Sequence, residues 1–170
     1  MTAANTRLGV MMFLEYLIWG SWLPLLALYL GGVLGFSGGE IGWVFATQAI
    51  ACIFGLYFGG QLADRLLSTE KLLAVLHLVG GLAMFALAYQ TTFWSFFFVM
   101  LVYQLAYMPT MSLTNAVVFH HVKDAQREFG RIRLWGTIGW IAASCPSVFI
   151  LAGKTGPDLN AALSSIFTVA

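Results

Sequence analysis

The chain has 170 residues, of which 60% are hydrophobic and only 9% charged, with a formal net charge of +1. Soluble domains carry about 25% charged residues, so this composition, with a mean hydropathy of +0.85, excludes an ordinary soluble domain and places the chain in a bilayer. It also argues against nucleic-acid binding, which needs Lys and Arg clustered on a soluble face.

The length leaves room for about six spans of roughly 20 residues each. Long apolar runs predict membrane helices over residues 10–34, 41–62, 72–89, 93–119 and 134–152, with a sixth over 159–170 that is cut short at Ala170. Loop signals separate them: Gly35-Phe36-Ser37-Gly38-Gly39, Ser68-Thr69, Gln90-Thr91-Thr92 and Gly153-Lys154-Thr155-Gly156-Pro157. The first run is too long for a cleavable signal peptide and lacks a small-residue cleavage site, so it is expected to remain as a span.

Seven of the eight basic residues fall on one side of these spans: Arg7, then Arg65 and Lys71, then Lys123, Arg127, Arg131 and Arg133. Lys154 alone falls on the other. Positive residues are retained in cytoplasmic loops, which predicts a cytoplasmic N-terminus.

Span one holds Glu15 well inside its apolar run. A carboxylate at the centre of a membrane helix costs about 2.5–3.5 kcal/mol on insertion scales, so such a group faces a cavity, pairs or takes up a proton. At helical spacing Glu15, Trp19, Trp22 and Tyr29 share a face. That pattern fits a protonation site beside a substrate path, and equally a shallow carboxylate reaching the interface above packed tryptophans. Span two carries Gly55-x-x-x-Gly59, a common close-packing signal. His77, near the start of span three, reads as a packed or interfacial histidine.

Span four carries two polar rows, Tyr103, Tyr107, Thr110 and Thr114 beside Gln104, Met108, Met111 and Asn115. Unpartnered polar groups in lipid cost several kcal/mol each, so this face looks into a wet cavity or bonds to another helix. The density of polar groups favours the cavity. Trp22-Leu23-Pro24 in span one and Tyr107-Met108-Pro109 in span four stand at corresponding depths. They fit an inverted three-plus-three repeat, whose interrupted helices mark a transporter's central site, or simply the tolerance of membrane helices for proline.

Span five raises the question of Arg133. If its helix starts near Arg127, Arg133 lies about two turns in, roughly 9 Å by helix rise. Arg133, Thr137 and Trp140 then occupy i, i+4 and i+7 on one face. A five-donor planar cation, a hydroxyl and an aromatic plate are parts able to hold a hydroxylated ring or a nucleobase. The same spacing fits arginines that snorkel to headgroups while Trp140 packs. Cys52 and Cys145 lack metal or redox spacing and read as small core residues. His120 and His121 have no ligand company, and no metal or cofactor is expected.

Gly60-Gln61-Leu62-Ala63-Asp64-Arg65 resembles the cytoplasmic loop motif of the major facilitator superfamily, although the motif's second Gly is absent and Ser68-Thr69-Glu70-Lys71 stands at its basic end. Trp19-Gly20-Ser21-Trp22-Leu23, Tyr107-Met108-Pro109-Thr110 and Arg133-Leu134-Trp135-Gly136-Thr137-Ile138-Gly139 resemble, more narrowly, the nucleoside:proton symporter family. The resemblance implies an all-α integral membrane fold, with residues 1–170 forming the N-terminal six-helix bundle of a twelve-helix carrier in a bacterial inner membrane. It implies that Arg133, Thr137 and Trp140 hold the nucleoside, that Tyr107, Thr110, Asn115 and Trp19 line the path, and that Glu15 partners Arg133 or carries the proton. Gly60, Asp64 and Arg65 would form the loop motif. Partners would be a nucleoside, protons, the lipid bilayer and the missing C-terminal half, with no enzymatic chemistry.

Phe129-Gly130-Arg131-Ile132-Arg133 and Gly136-Thr137-Ile138-Gly139-Trp140 also resemble the oligosaccharide:proton symporters. There the arginine pairs with a fourth-helix carboxylate, whose position falls at Asn115 here, and a Trp stacks on the sugar. Sugar symport is thus the alternative substrate class. A chain complete at Ala170 would instead be a membrane scaffold or homodimeric channel.

Overall fold

Apolar side chains and a backbone with no water to bond leave the helix as the local solution in a bilayer, and the chain takes it throughout. The structure, a computed structural model, describes the backbone of residues 3–65, 68–122 and 124–169, and the side chains of these except 3–4, 55–65, 125, 148 and 166–169. The described residues form α1 (Ala3–Gly32), α2 (Gly38–Arg65), α3 (Thr69–Leu87), α4 (Phe93–His121), α5 (Ala125–Leu151) and α6 (Gly156–Val169). Among the described residues, Asn5–Gly32, Thr69–Leu87, Phe93–His121 and Gln126–Leu151 are long and apolar enough to cross a membrane, and Gly38–Phe54 is a shorter apolar stretch.

α2 and α5 start ahead of their apolar runs because their polar first turns are capped. Ser37 and Glu40 form a reciprocal box at the start of α2: the Ser37 N–H donates to Glu40 Oε2 at 2.8 Å, and the Glu40 N–H reaches Ser37 Oγ at 3.4 Å. Asp124 caps α5, its Oδ1 accepting the Arg127 N–H at 3.3 Å while its carbonyl accepts the Glu128 N–H at 2.9 Å. This cap starts α5 at Ala125, well ahead of the apolar run, and so carries Arg133 into the helix. Beyond α1 and α5 the chain turns at Gly35 and Gly153, whose φ values of 70° and 76° belong to the left-handed region that glycine adopts without strain.

The contacts divide the chain into two units, Met1–Gly35 with Val118–Ala170, and Phe36–Val117. In the first, α1 lies chiefly along α5, with α6 against both. The two long helices run parallel. Near their starts Asn5 Nδ2 donates to Glu128 Oε2 at 3.0 Å, at mid-length the Phe13 carbonyl backs onto Gly139, and farther along Gly20 meets Trp140. A β-carbon at Gly139 would collide with that carbonyl, and one at Gly20 would stand 2.8 Å from the Trp140 carbonyl oxygen. Small residues here let two backbones touch, which is how membrane helices gain packing without a hydrophobic driving force.

Pro24 lies inside α1 and has no N–H for the carbonyl four residues back, at Gly20. Ser144 of α5 meets that need. Its hydroxyl lies 3.2 Å from the Gly20 oxygen and 2.8 Å from the Trp140 oxygen of its own helix, so its one proton is shared between them. A helix break in one element is thus repaired from its neighbour.

In the second unit Phe36 sets its ring edge-on to Phe93 and Phe96, each at 6.0 Å between centroids. The start of α4 is an aromatic cluster of Phe93, Trp94, Phe97 and Phe98, with Trp94 and Phe98 exposed. Trp94, the amphipathic ring of this cluster, suits a membrane interface at the helix end. His77 sits as expected of a packed histidine, its Nδ1 2.9 Å from the Leu73 carbonyl and its ring edge-on to Tyr107 at 6.4 Å.

Candidate functional site

The early start of α5 puts Arg133 on the side of the helix that meets α1. Its guanidinium carbon stands 3.9 Å from the centre of the Tyr16 ring, well within the ~6 Å reach of a cation–π contact. Tyr16 is buried and follows directly on Glu15, which is itself only 3% exposed. The arginine thus covers the Tyr16 ring from α5, and the buried carboxylate belongs to the same turn of α1. Tyr16 is the residue the spacing argument misses: it lies one position off the Glu15–Trp19–Trp22–Tyr29 stripe and comes into view only through the rotation of α1 against α5.

One turn along α1, Trp19 leans on Trp140 of α5, rings 5.0 Å apart at 78°. Tyr16 and Trp19 are themselves 6.2 Å apart at 56°. Arg133, Tyr16, Trp19 and Trp140 thus form one continuous series of cation and rings. The Trp19 indole Nε1 is buried with no hydrogen-bond partner, an unmet donor inside this aromatic series. Thr137, the middle residue of the predicted α5 face, is exposed and takes no part in the series. Trp22 and Tyr29, farther along α1, are buried.

The α4 rows behave differently. Tyr107 stacks on Tyr103 at 5.5 Å and 9°. Thr110 donates to the Tyr107 carbonyl at 2.6 Å and Thr114 to the Thr110 carbonyl at 2.6 Å. Both hydroxyls thus bond carbonyls of their own helix, an option open to Ser and Thr in membrane helices. The neighbouring row keeps unmet capacity: Gln104 Oε1 and Asn115 Oδ1 are buried acceptors without a partner. The polar density of α4 is therefore of two kinds, self-satisfied hydroxyls and amides still open to a donor.

The side chains of Gly60, Asp64 and Arg65, and those of Gly55 and Gly59, lie outside the described residues. Cys52 is half-buried, whereas Cys145 is exposed on α5 rather than in a core. A small apolar side chain facing lipid needs no protein around it, because the bilayer already supplies the apolar surroundings. An open apolar groove between α3 and α4, walled by Val79, Leu82, Ala83, Phe98, Val99 and Val102, holds none of the candidate residues. Among the described residues no group of three or more His, Cys, Asp or Glu could hold a metal ion.

The fold and the site together define a helical membrane bundle with an arginine and an aromatic series at its α1–α5 seam. A family model described as "Nucleoside H+ symporter" matches residues 1–167. The chain is 49% identical over 146 residues to the putative nucleoside transporter YegT of Escherichia coli, covering 86% of this chain and 34% of that protein. It is 39% identical over 141 residues to the xanthosine permease of Escherichia coli, covering 81% and 34%. The crystal structure of the nucleoside transporter NupG matches with a TM-score of 0.84 at 32% identity, over 99% of this chain and 43% of that one. The chain belongs to the nucleoside H+ symporter family, and it spans about a third of the length of the curated relatives it matches.

Proposed function

We propose that the chain is the N-terminal bundle of an alternating-access carrier that imports nucleosides together with protons across a bacterial inner membrane. The observation that carries this reading is Arg133, held on the Tyr16 ring and followed along the same seam by Trp19 and Trp140. The guanidinium keeps its N–H edge for hydroxyl or carbonyl oxygens, and the indoles offer faces to a base. Thr137, exposed on α5, adds a hydroxyl toward whatever occupies that side. Tyr107, Thr110 and Asn115 line the path on α4, with the unpartnered Asn115 oxygen as an acceptor for a nucleoside N–H or O–H. Glu15, buried beside Tyr16, is the proton carrier in this reading. Gly60, Asp64 and Arg65, in the last turns of α2, belong to the cytoplasmic loop motif in this reading. A second bundle of six helices completes the site, since substrate in such carriers lies between repeats.

Uptake of labelled uridine into vesicles bearing the full-length carrier, under an imposed inward proton gradient, tests the reading. Excess adenosine should block uptake and excess lactose should not. Arg133→Ala should lower kcat/KM by about 10- to 100-fold, the worth of a hydrogen bond to a charged group. Glu15→Gln should uncouple uptake from the gradient. Lactose carried in place of uridine would move the protein to the sugar symporters, with Trp140 as the sugar platform.

A further inference from the structure

We infer that Tyr16 is the positioning residue of Arg133, and that Gly136 supplies the space in which the two groups meet. This rests on the reading of Arg133 as a substrate-contacting residue. The guanidinium carbon is 3.9 Å above the ring centre, and a β-carbon at position 136 would lie 2.7 Å from Tyr16 Cδ2 and 2.9 Å from Arg133 Nη1. Ring and cation therefore border the same narrow void, one turn of α5 beyond Arg133 itself, and any side chain there displaces one or both.

The ring is the fixed partner of the two. Tyr16 is 7% exposed, and its ring leans on Trp19, which in turn meets Trp140 edge-on. Arg133 is only half-buried, and an arginine with no support samples many rotamers. Stacked on a held ring, its face is occupied and its N–H edge points one way, the arrangement that planar, bidentate recognition of a substrate requires. Tyr16 thus acts through Arg133, and the contact the inference rests on is the one with its π face. Gly136 follows from the same geometry: it is the residue that leaves room for a cation–π pair where two helices press together.

The test is the kinetics of labelled uridine uptake by the full-length carrier in proteoliposomes, with the amount of reconstituted protein measured for each variant. Tyr16→Leu keeps an apolar side chain but removes the face, and should raise KM by about three- to thirtyfold with kcat little changed, the range that a partly desolvated cation–π contact spans. Tyr16→Phe keeps the face and should stay within about twofold of the parent. An unchanged KM in Tyr16→Leu overturns the inference, as does a Tyr16→Phe variant as impaired as Tyr16→Leu, or a loss in kcat alone. Should Tyr16→Leu fail to reach the membrane, Gly136→Ala probes the same contact from α5, with the same rise in KM expected and an unchanged KM counting against it. Arg133→Ala run in parallel separates the two levels: uridine kinetics indifferent to that change would remove Arg133 from the site, whatever the behaviour of Tyr16.

Discussion

The α1–α5 seam and the polar rows of α4 look alike as sequence, each a set of polar and aromatic residues at helical spacing, yet they use those residues in opposite ways. Along the seam the groups work between helices: Asn5 bonds Glu128, Ser144 serves the carbonyl that Pro24 leaves open, Arg133 rests on Tyr16, and Trp19 meets Trp140. In α4 the hydroxyls turn back on their own helix. The difference lies in how closely a neighbour's backbone can approach. Gly139 and Gly20 bring α1 and α5 into main-chain contact, so short side chains can reach across, whereas Thr110 and Thr114 of α4 each give a bond to a carbonyl of their own helix.

The largest expected effect comes from breaking that approach. Gly139→Ala forces a methyl group into the Phe13 carbonyl and should destabilise the protein by about 1–3 kcal/mol, as overpacking does, read as a lower midpoint in thermal unfolding of the detergent-solubilised carrier. Gly80 of α3 is the matched control. Its added β-carbon would lie 4.0 Å from the nearest atom, that of Ala106, so Gly80→Ala should be neutral or stabilise by up to about 1 kcal/mol through helix propensity. Equal losses at both positions would mean that the seam is no tighter than the rest.

A smaller effect separates bonds between helices from bonds within one. Ser144→Ala withdraws the only side-chain donor described for the Gly20 carbonyl and should cost about 0.5–1.5 kcal/mol, the range for interhelical hydrogen bonds in membranes. Thr47 is fully buried and donates to its own helix at the Val44 carbonyl, 2.6 Å away. Thr47→Val keeps the shape and removes only that bond, and should stay within about 0.5 kcal/mol of the parent. The same melting assay compares the two, and a Thr47→Val loss as large as that of Ser144→Ala would erase the distinction.

These contrasts also mark what could be read from the residues alone. The depth of Arg133 was legible only on the condition that α5 starts near Arg127, and it is the Asp124 cap that meets the condition. The pairing of Trp19 with Trp140 was not, since each was assigned only to its own helix, and Tyr16 escaped because it stands off the stripe through Glu15. What fixes both is the rotation of α1 against α5, set by Gly139 and Gly20, and a glycine in sequence does not say which carbonyl will occupy its missing side chain. The α4 rows were correctly placed on adjacent faces, but spacing cannot tell a threonine bonded to its own carbonyl from one that waits for a ligand. It is Gln104 and Asn115, with acceptors left open, that keep a binding role for that helix on physical grounds.

The smallest effect lies at the aqueous start of α2, ahead of its apolar run, where a local bond can be isolated from both regions. The backbone N–H and the hydroxyl of Ser37 each reach Glu40 Oε2 at 2.8 Å, and hydrogen bonding to the charged form, the backbone bond first, lowers the Glu40 pKa from its usual 4.5. A carboxyl whose pKa is lower folded than unfolded binds protons more readily in the unfolded chain, so its contribution is complete above the unfolded pKa and fades as pH falls through the folded one. The parent should therefore melt slightly above Glu40→Gln at neutral pH, and the two curves should converge as the buffer drops below about pH 4. Other carboxylates titrate alike in both proteins and cancel in the difference. A gap that persists unchanged into acid would mean that the carboxylate charge contributes nothing and that the box holds as well through a neutral amide.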